Sequence, residues 1–310
     1  MKFAFVFPGQ GSQAVGMMQP FAASQTVRAV FDEASEVLRQ DLWQLAAQGP
    51  AQVLNATVNT QPVMLAAGYA VYRAWREAGG AEPALVAGHS LGEYTALVAA
   101  GAIAFREALP LVRFRAQAMQ QAVPAGEGAM AAILGLDEEA VRAACREAAQ
   151  GAVVEPVNFN APGQTVIAGH RAAVERGMAA AKARGAKRAV MLPVSAPFHS
   201  SLLAPAAERL AEYLAQVALE PPRIPVVNNV DVAVESDPRR IKDALARQAS
   251  SPVRWIEVVR RIADSGIEHV AECGPGKVLA ALTKRIDERL QSYAISDPQS
   301  LELALQMLRS

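Results

Sequence analysis

Apolar positions along this chain fall into short unbroken runs that alternate with stretches of helical spacing. The first run, "FAFVF" at residues 3–7, predicts a buried strand, and the glycine-rich loop "PGQGSQAVGM" follows it. Residues 24–39 and 41–48 carry helical spacing, as does 59–79, with Thr60 as its expected cap and Pro62 near its first turn. "PALVAGH" at 83–89 predicts a second strand, "GEYTALVAAGAI" a helix, and residues 105–122 a further helix. This alternation predicts a parallel sheet covered on both faces.

The pattern changes in the middle. Residues 128–136, 153–160, 164–169 and 188–194 are strand-like, while 137–149 and 170–184 are helical. The order β-α-β-β-α-β is the ferredoxin-like signature. It predicts a small inserted domain at 124–196 within a discontinuous large domain at 1–123 and 197–310. Beyond 196 the spacing predicts a helix from "HSSLLAPAAERLAEYLAQV", a strand from "IPVVNNVD", a helix from "DPRRIKDALARQA", and a strand entering a glycine turn in "IEHVAECGPG".

Composition adds limits. Thirty basic side chains balance thirty acidic ones, so no nucleic-acid or anionic-membrane partner is called for. "FAFVF" is too short for a signal segment, and no 18-residue apolar stretch occurs. Two cysteines and four histidines, in no metal-ligand spacing, predict neither a disulfide framework nor a metal site. A cytoplasmic setting is expected, and nothing demands a dimer.

The candidate chemistry starts at "LVAGHSLGEYTAL". Gly88, Ser90 and Gly92 form GxSxG between a strand and a helix, the context in which a serine stands on a strained elbow. The alternative is a serine that merely caps the helix. Among the histidines, His89 is adjacent to Ser90 and should point away. His170 reads as a helix cap, and His269 belongs at the wrong end of its strand. His199 is left as the base, with a surface cap as its alternative. No acid between Ser90 and His199 occupies a persuasive strand end, so an uncharged orienter is expected. Gln248, on the apolar face of Ile241 and Leu245, is one choice, with helix termination as its alternative.

Arg115 falls on the apolar side of its helix, with Leu111, Val112 and Met119. Either its stem snorkels to water or its guanidinium meets an anion, and a substrate carboxylate near Ser90 would meet that need. "GQGSQAVG" misses the spacing of dinucleotide and phosphate loops, so no bound nucleotide cofactor is expected. That loop is instead placed to offer a backbone N–H beside Ser90.

Together "FVFPGQGSQ", "GHSLGEY", "VNFNAPGQ", "PVSAPFHS", "PVVNNVD" and "ECGPGKVL" resemble the acyltransferase family, across essentially the whole chain. That family comprises bacterial malonyl-CoA:acyl carrier protein transacylases and the acyltransferase domains of polyketide and fatty acid synthases. The resemblance implies an α/β hydrolase-like large domain with a ferredoxin-like insert. It also implies malonyl transfer from malonyl-CoA to the phosphopantetheine thiol of acyl carrier protein, with no permanently bound cofactor. By the same resemblance Ser90 carries the malonyl ester, His199 activates it, and Gln248 holds His199 through its side-chain carbonyl. Arg115 pairs with the malonyl carboxylate, and the N–H groups of Gln10 and Leu91 form the oxyanion hole. Phe198 crowds an α-methyl group in the substrate pocket, and Asn160 sits at the cleft rim. Competing readings are a serine esterase or thioesterase, a trans-acting polyketide acyltransferase, and a carrier-binding scaffold. The basic run "KARGAKR" at 182–188 is either a carrier-protein contact or an ordinary solvated helix end.

Overall fold

The computed structural model describes residues 2–308. Nine strands occur among them: β1 (Phe3–Phe7), β2 (Leu85–Gly88), β3 (Gly128–Leu134), β4 (Val154–Ala161), β5 (Gln164–His170), β6 (Arg188–Met191), β7 (Val226–Val227), β8 (His269–Cys273) and β9 (Gln291–Ile295). A parallel sheet runs in the order β7-β2-β1-β8-β9. β1 and β2 read as unbroken apolar runs because helices cover both faces; every residue of β1, β2 and β8 is buried, the His269 and Glu272 of β8 included.

On one face the long helix Thr57–Glu77 brings Tyr72 and Trp75 edge-on against Phe3, Phe5 and Phe7. On the other face, Trp255, Val258, Val259 and Ile262 cluster with Ala4, Val6 and Val270.

The second sheet is antiparallel, in the order β4-β5-β3-β6. Helices Glu138–Ala149 and Arg171–Ala183 pack on it with their own core, including Ile133, Val141, Ile167 and Val174. Connectivity and strand order are both those of a ferredoxin-like unit. This sheet is stitched to the rest of the chain through β4: Phe159 N donates to Val253 O at 3.0 Å, and Val253 N donates to Val157 O at 2.8 Å.

Several local expectations are corrected. Thr60 does not cap the helix, which begins at Thr57 after Ala56; its hydroxyl is turned to the carbonyls of Leu54 at 2.5 Å and Ala56 at 3.1 Å. The strand expected over 188–194 stops at Met191, and Pro193 lies in the irregular segment that follows. The strand expected in "IPVVNNVD" is only two residues long. Asn228 Oδ1 accepts from Asp231 N at 2.7 Å and turns the chain there. Helices Trp255–Asp264 and Pro298–Met307, and strand β9, went unread. The first was legible, since residues 255, 258, 259, 262 and 263 are buried at helical spacing. No helix among the described residues is long and apolar enough to cross a membrane.

Candidate active site

The carboxyl ends of β1 and β2 open into a cleft of about 850 Å³, where an open parallel sheet places its ligands. Ser90 stands just past β2 with φ of 52°, in the left-handed region that only surrounding structure can impose on a serine. The flanking glycines are steric necessities. A Cβ on Gly88 would lie 1.9 Å from the backbone carbon of Gly92, and one on Gly92 would lie 2.1 Å from Phe7 O. Ser90 is therefore an elbow residue rather than a helix cap; the helix starts at Gly92 and has no side-chain cap.

His199 reaches the same point from the segment beyond β6. Its backbone is also left-handed, with φ of 66°, and its ring is buried. Nε2 lies 2.7 Å from Ser90 Oγ, and Nδ1 lies 2.8 Å from the backbone carbonyl oxygen of Gln248. A carbonyl only accepts, so Nδ1 carries the proton and Nε2 presents its lone pair to the serine hydroxyl. Burial, and then the nearby Arg115 charge, lower the His199 pKa to about 3. The ring is thus neutral in the resting site, with its Nε2 lone pair free to accept a proton.

Gln248 corrects an expectation. Its side chain does not hold His199; its main chain does. The side-chain carbonyl instead accepts from Arg115 Nη2 at 2.8 Å, while Nε2 donates to Glu93 Oε2 at 2.8 Å and to Ser90 O at 3.1 Å.

Arg115 does not snorkel; it is 2% exposed. Nη1 donates to Gln61 Oε1 at 2.8 Å, and Nη2 donates to Ser90 Oγ at 3.1 Å as well as to Gln248. The guanidinium lies over the ring of Tyr94, 5.3 Å from its centroid. From Gln61 a polar chain continues to the glycine-rich loop: Gln61 Nε2 donates to Thr57 Oγ1 at 3.0 Å, and Thr57 Oγ1 donates to Gln10 Oε1 at 2.8 Å. Gln10 and Leu91 both line the cleft beside Ser90. The loop is pressed onto the elbow, since a Cβ on Gly9 would meet His89 O at 2.4 Å.

Phe198 lines the cleft and is buried, but Asn160 does not line it. Asn160 Oδ1 accepts from His89 Nε2 at 2.8 Å and so serves the neighbouring histidine; Asn158, two residues earlier, faces the cleft instead. The period of two along β4 makes 158 and 160 equivalent candidates, and the His89 contact of Asn160 distinguishes them. His269 sits at the amino end of β8, paired with Tyr293, away from Ser90. His170 accepts from Val153 N in the small sheet.

Three participants were missed. Gln61 is buried and supports Arg115. Asn229 Oδ1 accepts from Ser90 N at 2.7 Å, and its Nδ2 donates to Gly88 O at 2.8 Å, clasping the elbow from both sides. Glu93 is buried against both Asn229 and Gln248, and burial raises its pKa to about 7. All three read in sequence as ordinary helix or turn residues. Asn229 and Glu93 were nevertheless within the quoted motifs "PVVNNVD" and "GHSLGEY". Among the described residues no cluster of three or more metal-ligating side chains occurs.

A serine on a strained elbow, a neutral histidine with its lone pair aimed at the hydroxyl, and a buried cation beside both define a nucleophilic serine acyltransferase site on an α/β sheet. The chain belongs to the acyl transferase family, whose domain model matches residues 4–302. It is 55% identical over 307 residues to the malonyl CoA-acyl carrier protein transacylase of Escherichia coli strain K12, covering 99% of each chain. It is 45% identical over 310 residues to that of Bacillus subtilis strain 168, covering 99% of this chain and 98% of the relative. A crystal structure of the acyl-carrier-protein S-malonyltransferase of Burkholderia pseudomallei superposes with a TM-score of 0.97 at 67% identity, covering 99% and 100% of the two chains. A malonyl-transacylase in complex with a type II PKS acyl-carrier protein superposes at 0.98 with 52% identity, again covering 99% and 100%.

Proposed function

We propose that this protein transfers the malonyl group of malonyl-CoA to the phosphopantetheine thiol of acyl carrier protein, through a malonyl ester on Ser90. The observation that carries this reading is that one hydroxyl lies 2.7 Å from His199 Nε2 and 3.1 Å from Arg115 Nη2. A base at that distance activates the oxygen. A buried cation there suits an acyl group that ends in a carboxylate, which a general esterase does not require.

In the first half-reaction His199 accepts the Ser90 proton as Oγ attacks the thioester carbonyl. The N–H groups of Gln10 and Leu91 receive the developing oxyanion. The C–S bond breaks, and the imidazolium returns its proton to the departing coenzyme A sulfur. In the second half, the carrier thiol gives its proton to His199 and attacks the ester. The Ser90 oxygen leaves and is reprotonated. Arg115 holds the distal carboxylate throughout. The Gln248 carbonyl keeps the imidazole in one tautomer and supports the imidazolium without adding a carboxylate near an anionic substrate. Phe198 bounds the acyl pocket.

Both coenzyme A and the carrier's phosphopantetheine are substrates that come and go; neither is a resident group. Residues 124–196 act as an inserted unit whose return at 197 delivers His199. The reading assigns the chain to fatty acid synthesis in the cytoplasm. The two free, buried cysteines, Cys145 and Cys273, accord with a reducing compartment.

Mass spectrometry of the intact protein after exposure to malonyl-CoA tests the intermediate. A malonyl adduct on Ser90 that discharges to acyl carrier protein is expected. Folded protein without an adduct, or hydrolysis that matches transfer in rate without an acceptor, would sink the proposal.

A further inference from the structure

Glu93 is a charged residue three positions after the nucleophile, 2% exposed, with no part in the transfer steps above. One of its oxygens, Oε2, accepts two hydrogen bonds: from Asn229 N at 2.9 Å and from Gln248 Nε2 at 2.8 Å. The first donor is a main-chain N–H and cannot be turned around. An acceptor must therefore stand at this point, whatever the side chain.

The consequence falls on Gln248. Its amide is enclosed by acceptors on one side, namely Glu93 Oε2, Ser90 O at 3.1 Å and Asn229 Oδ1 at 3.4 Å, and by the Arg115 guanidinium on the other. Only one of its two orientations satisfies both sides. With Nε2 toward Glu93, Oε1 faces Arg115 and accepts from Nη2. Turned over, oxygen would face carboxylate and carbonyl, and NH2 would face guanidinium. Glu93 is the ionisable member of that acceptor set and makes its shortest contact.

We propose that Glu93 is a positioning residue for acyl-group selection: it locks the Gln248 amide with its carbonyl toward Arg115, and so aims the guanidinium at the carboxylate of the acyl group. Glu93 never touches substrate. It acts through Gln248, and the effect is larger for carboxylated acyl groups, because neutral ones offer the guanidinium no carboxylate to bind. This rests on the assignment of Arg115 as the carboxylate partner.

The test compares kcat/KM for malonyl-CoA and acetyl-CoA in Arg115→Ala, Glu93→Ala, Glu93→Met, Glu93→Gln and Gln248→Ala proteins. It also includes the double variant Glu93→Met/Gln248→Ala, with folding checked by thermal melting. Arg115→Ala must collapse the malonyl preference; if it does not, the functional reading fails, independently of Glu93. Given that collapse, Glu93→Met is expected to lower the malonyl-to-acetyl ratio by about tenfold, roughly the effect of one misplaced hydrogen bond to a charged group. Glu93→Gln retains an acceptor oxygen for Asn229 N and Gln248 Nε2, so it should keep the ratio near that of the parent protein. Should Glu93→Ala fail to fold, the near-isosteric methionine variant carries the comparison. In the Gln248→Ala background, Glu93→Met should change the ratio no further. Equal losses for malonyl and acetyl transfer, or a further drop of the ratio in the double variant, would overturn the proposal.

Discussion

The backbone carbonyl of Gln248 lies 2.8 Å from His199 Nδ1, while the side-chain carbonyl of the same residue lies 2.8 Å from Arg115 Nη2. One residue thus serves the base with its main chain and the buried cation with its side chain. The two functions are separable by mutation, because truncating a side chain leaves its peptide group in place.

Gln248→Ala should therefore leave the nucleophile largely intact. Labelling of Ser90 by a neutral organophosphate is expected within about threefold of the parent rate, since the main-chain hydrogen bond persists. Malonyl transfer should fall by about tenfold or more as the Arg115 hydrogen bond is lost. Equal damage to labelling and to malonyl transfer would show that the side chain, and not the main chain, supports His199.

The pH dependence of Ser90 labelling follows from the lowered His199 pKa of about 3. The base needs its neutral form, which is present above that value, so labelling should stay level from pH 8 down to about 5. A neutral reagent keeps substrate ionisation out of the profile. Arg115→Ala removes the second-largest cause of the depression, after burial. Burial, the largest cause, remains, so the pKa rises only part of the way toward its ordinary value, and the acid limb should lie at higher pH than in the parent protein. A parent protein that already loses reactivity near pH 6.5 would contradict the buried, neutral resting state.

Glu272 makes the stability of the fold depend on pH. Its Oε2 accepts from Ala280 N at 2.8 Å at the start of the helix Val278–Ile286, and its other oxygen has no partner among the described residues. Burial raises its pKa to about 7. The folded state therefore holds the proton more tightly than the unfolded chain does. That stabilisation is complete below about pH 4.5 and is lost as pH rises through about 7, a change on the order of 3 kcal/mol at most. Thermal melts of Glu272→Gln should decline less between pH 5 and 8 than those of the parent protein. Glu93 has the same sign and stays in place, so part of the slope should remain. Identical slopes would remove Glu272 from the account.

Gly88→Ala should fail as a folded enzyme. The added Cβ would lie 1.9 Å from the carbon of Gly92, in backbone rather than in a side chain that can turn aside. A loss of more than about 3 kcal/mol is expected in denaturant melts, or no soluble protein at all. A stable, active Gly88→Ala protein would mean that the elbow has room that the geometry denies.

Much of this molecule was legible because its signals are local. The apolar runs of β1 and β2, alternating with helical spacing, announced a covered parallel sheet. The strand and helix order from 128 to 191 announced the ferredoxin-like unit. Gly88, Ser90 and Gly92 between strand and helix announced an elbow, because a turn that tight excludes a Cβ wherever it occurs. Arg115 was visible as a charge on an apolar helix face, since helical periodicity assigns faces without knowing what covers them.

What only the tertiary structure decided is which atoms meet. Asn229 stands 139 positions from Ser90 and clasps it, and Gln248 stands 133 positions from Arg115 and binds it; no periodicity carries such a relation. Whether Gln248 supports His199 through backbone or side chain depends on a rotamer and a carbonyl direction fixed by long-range packing. The choice of Asn158 over Asn160 at the cleft rests on the contact of Asn160 with His89, 71 positions away. The buried Glu93 needed the same knowledge, because a carboxylate in the first turn of a helix reads as solvated until Asn229 and Gln248 are seen to enclose it. By itself, then, the sequence determined the elements, the elbow and the charge in the wrong place, which sterics and periodicity dictate locally. The folded chain decided the hydrogen-bond network around the serine, because hydrogen bonds depend on distance and direction between segments that are joined only by folding.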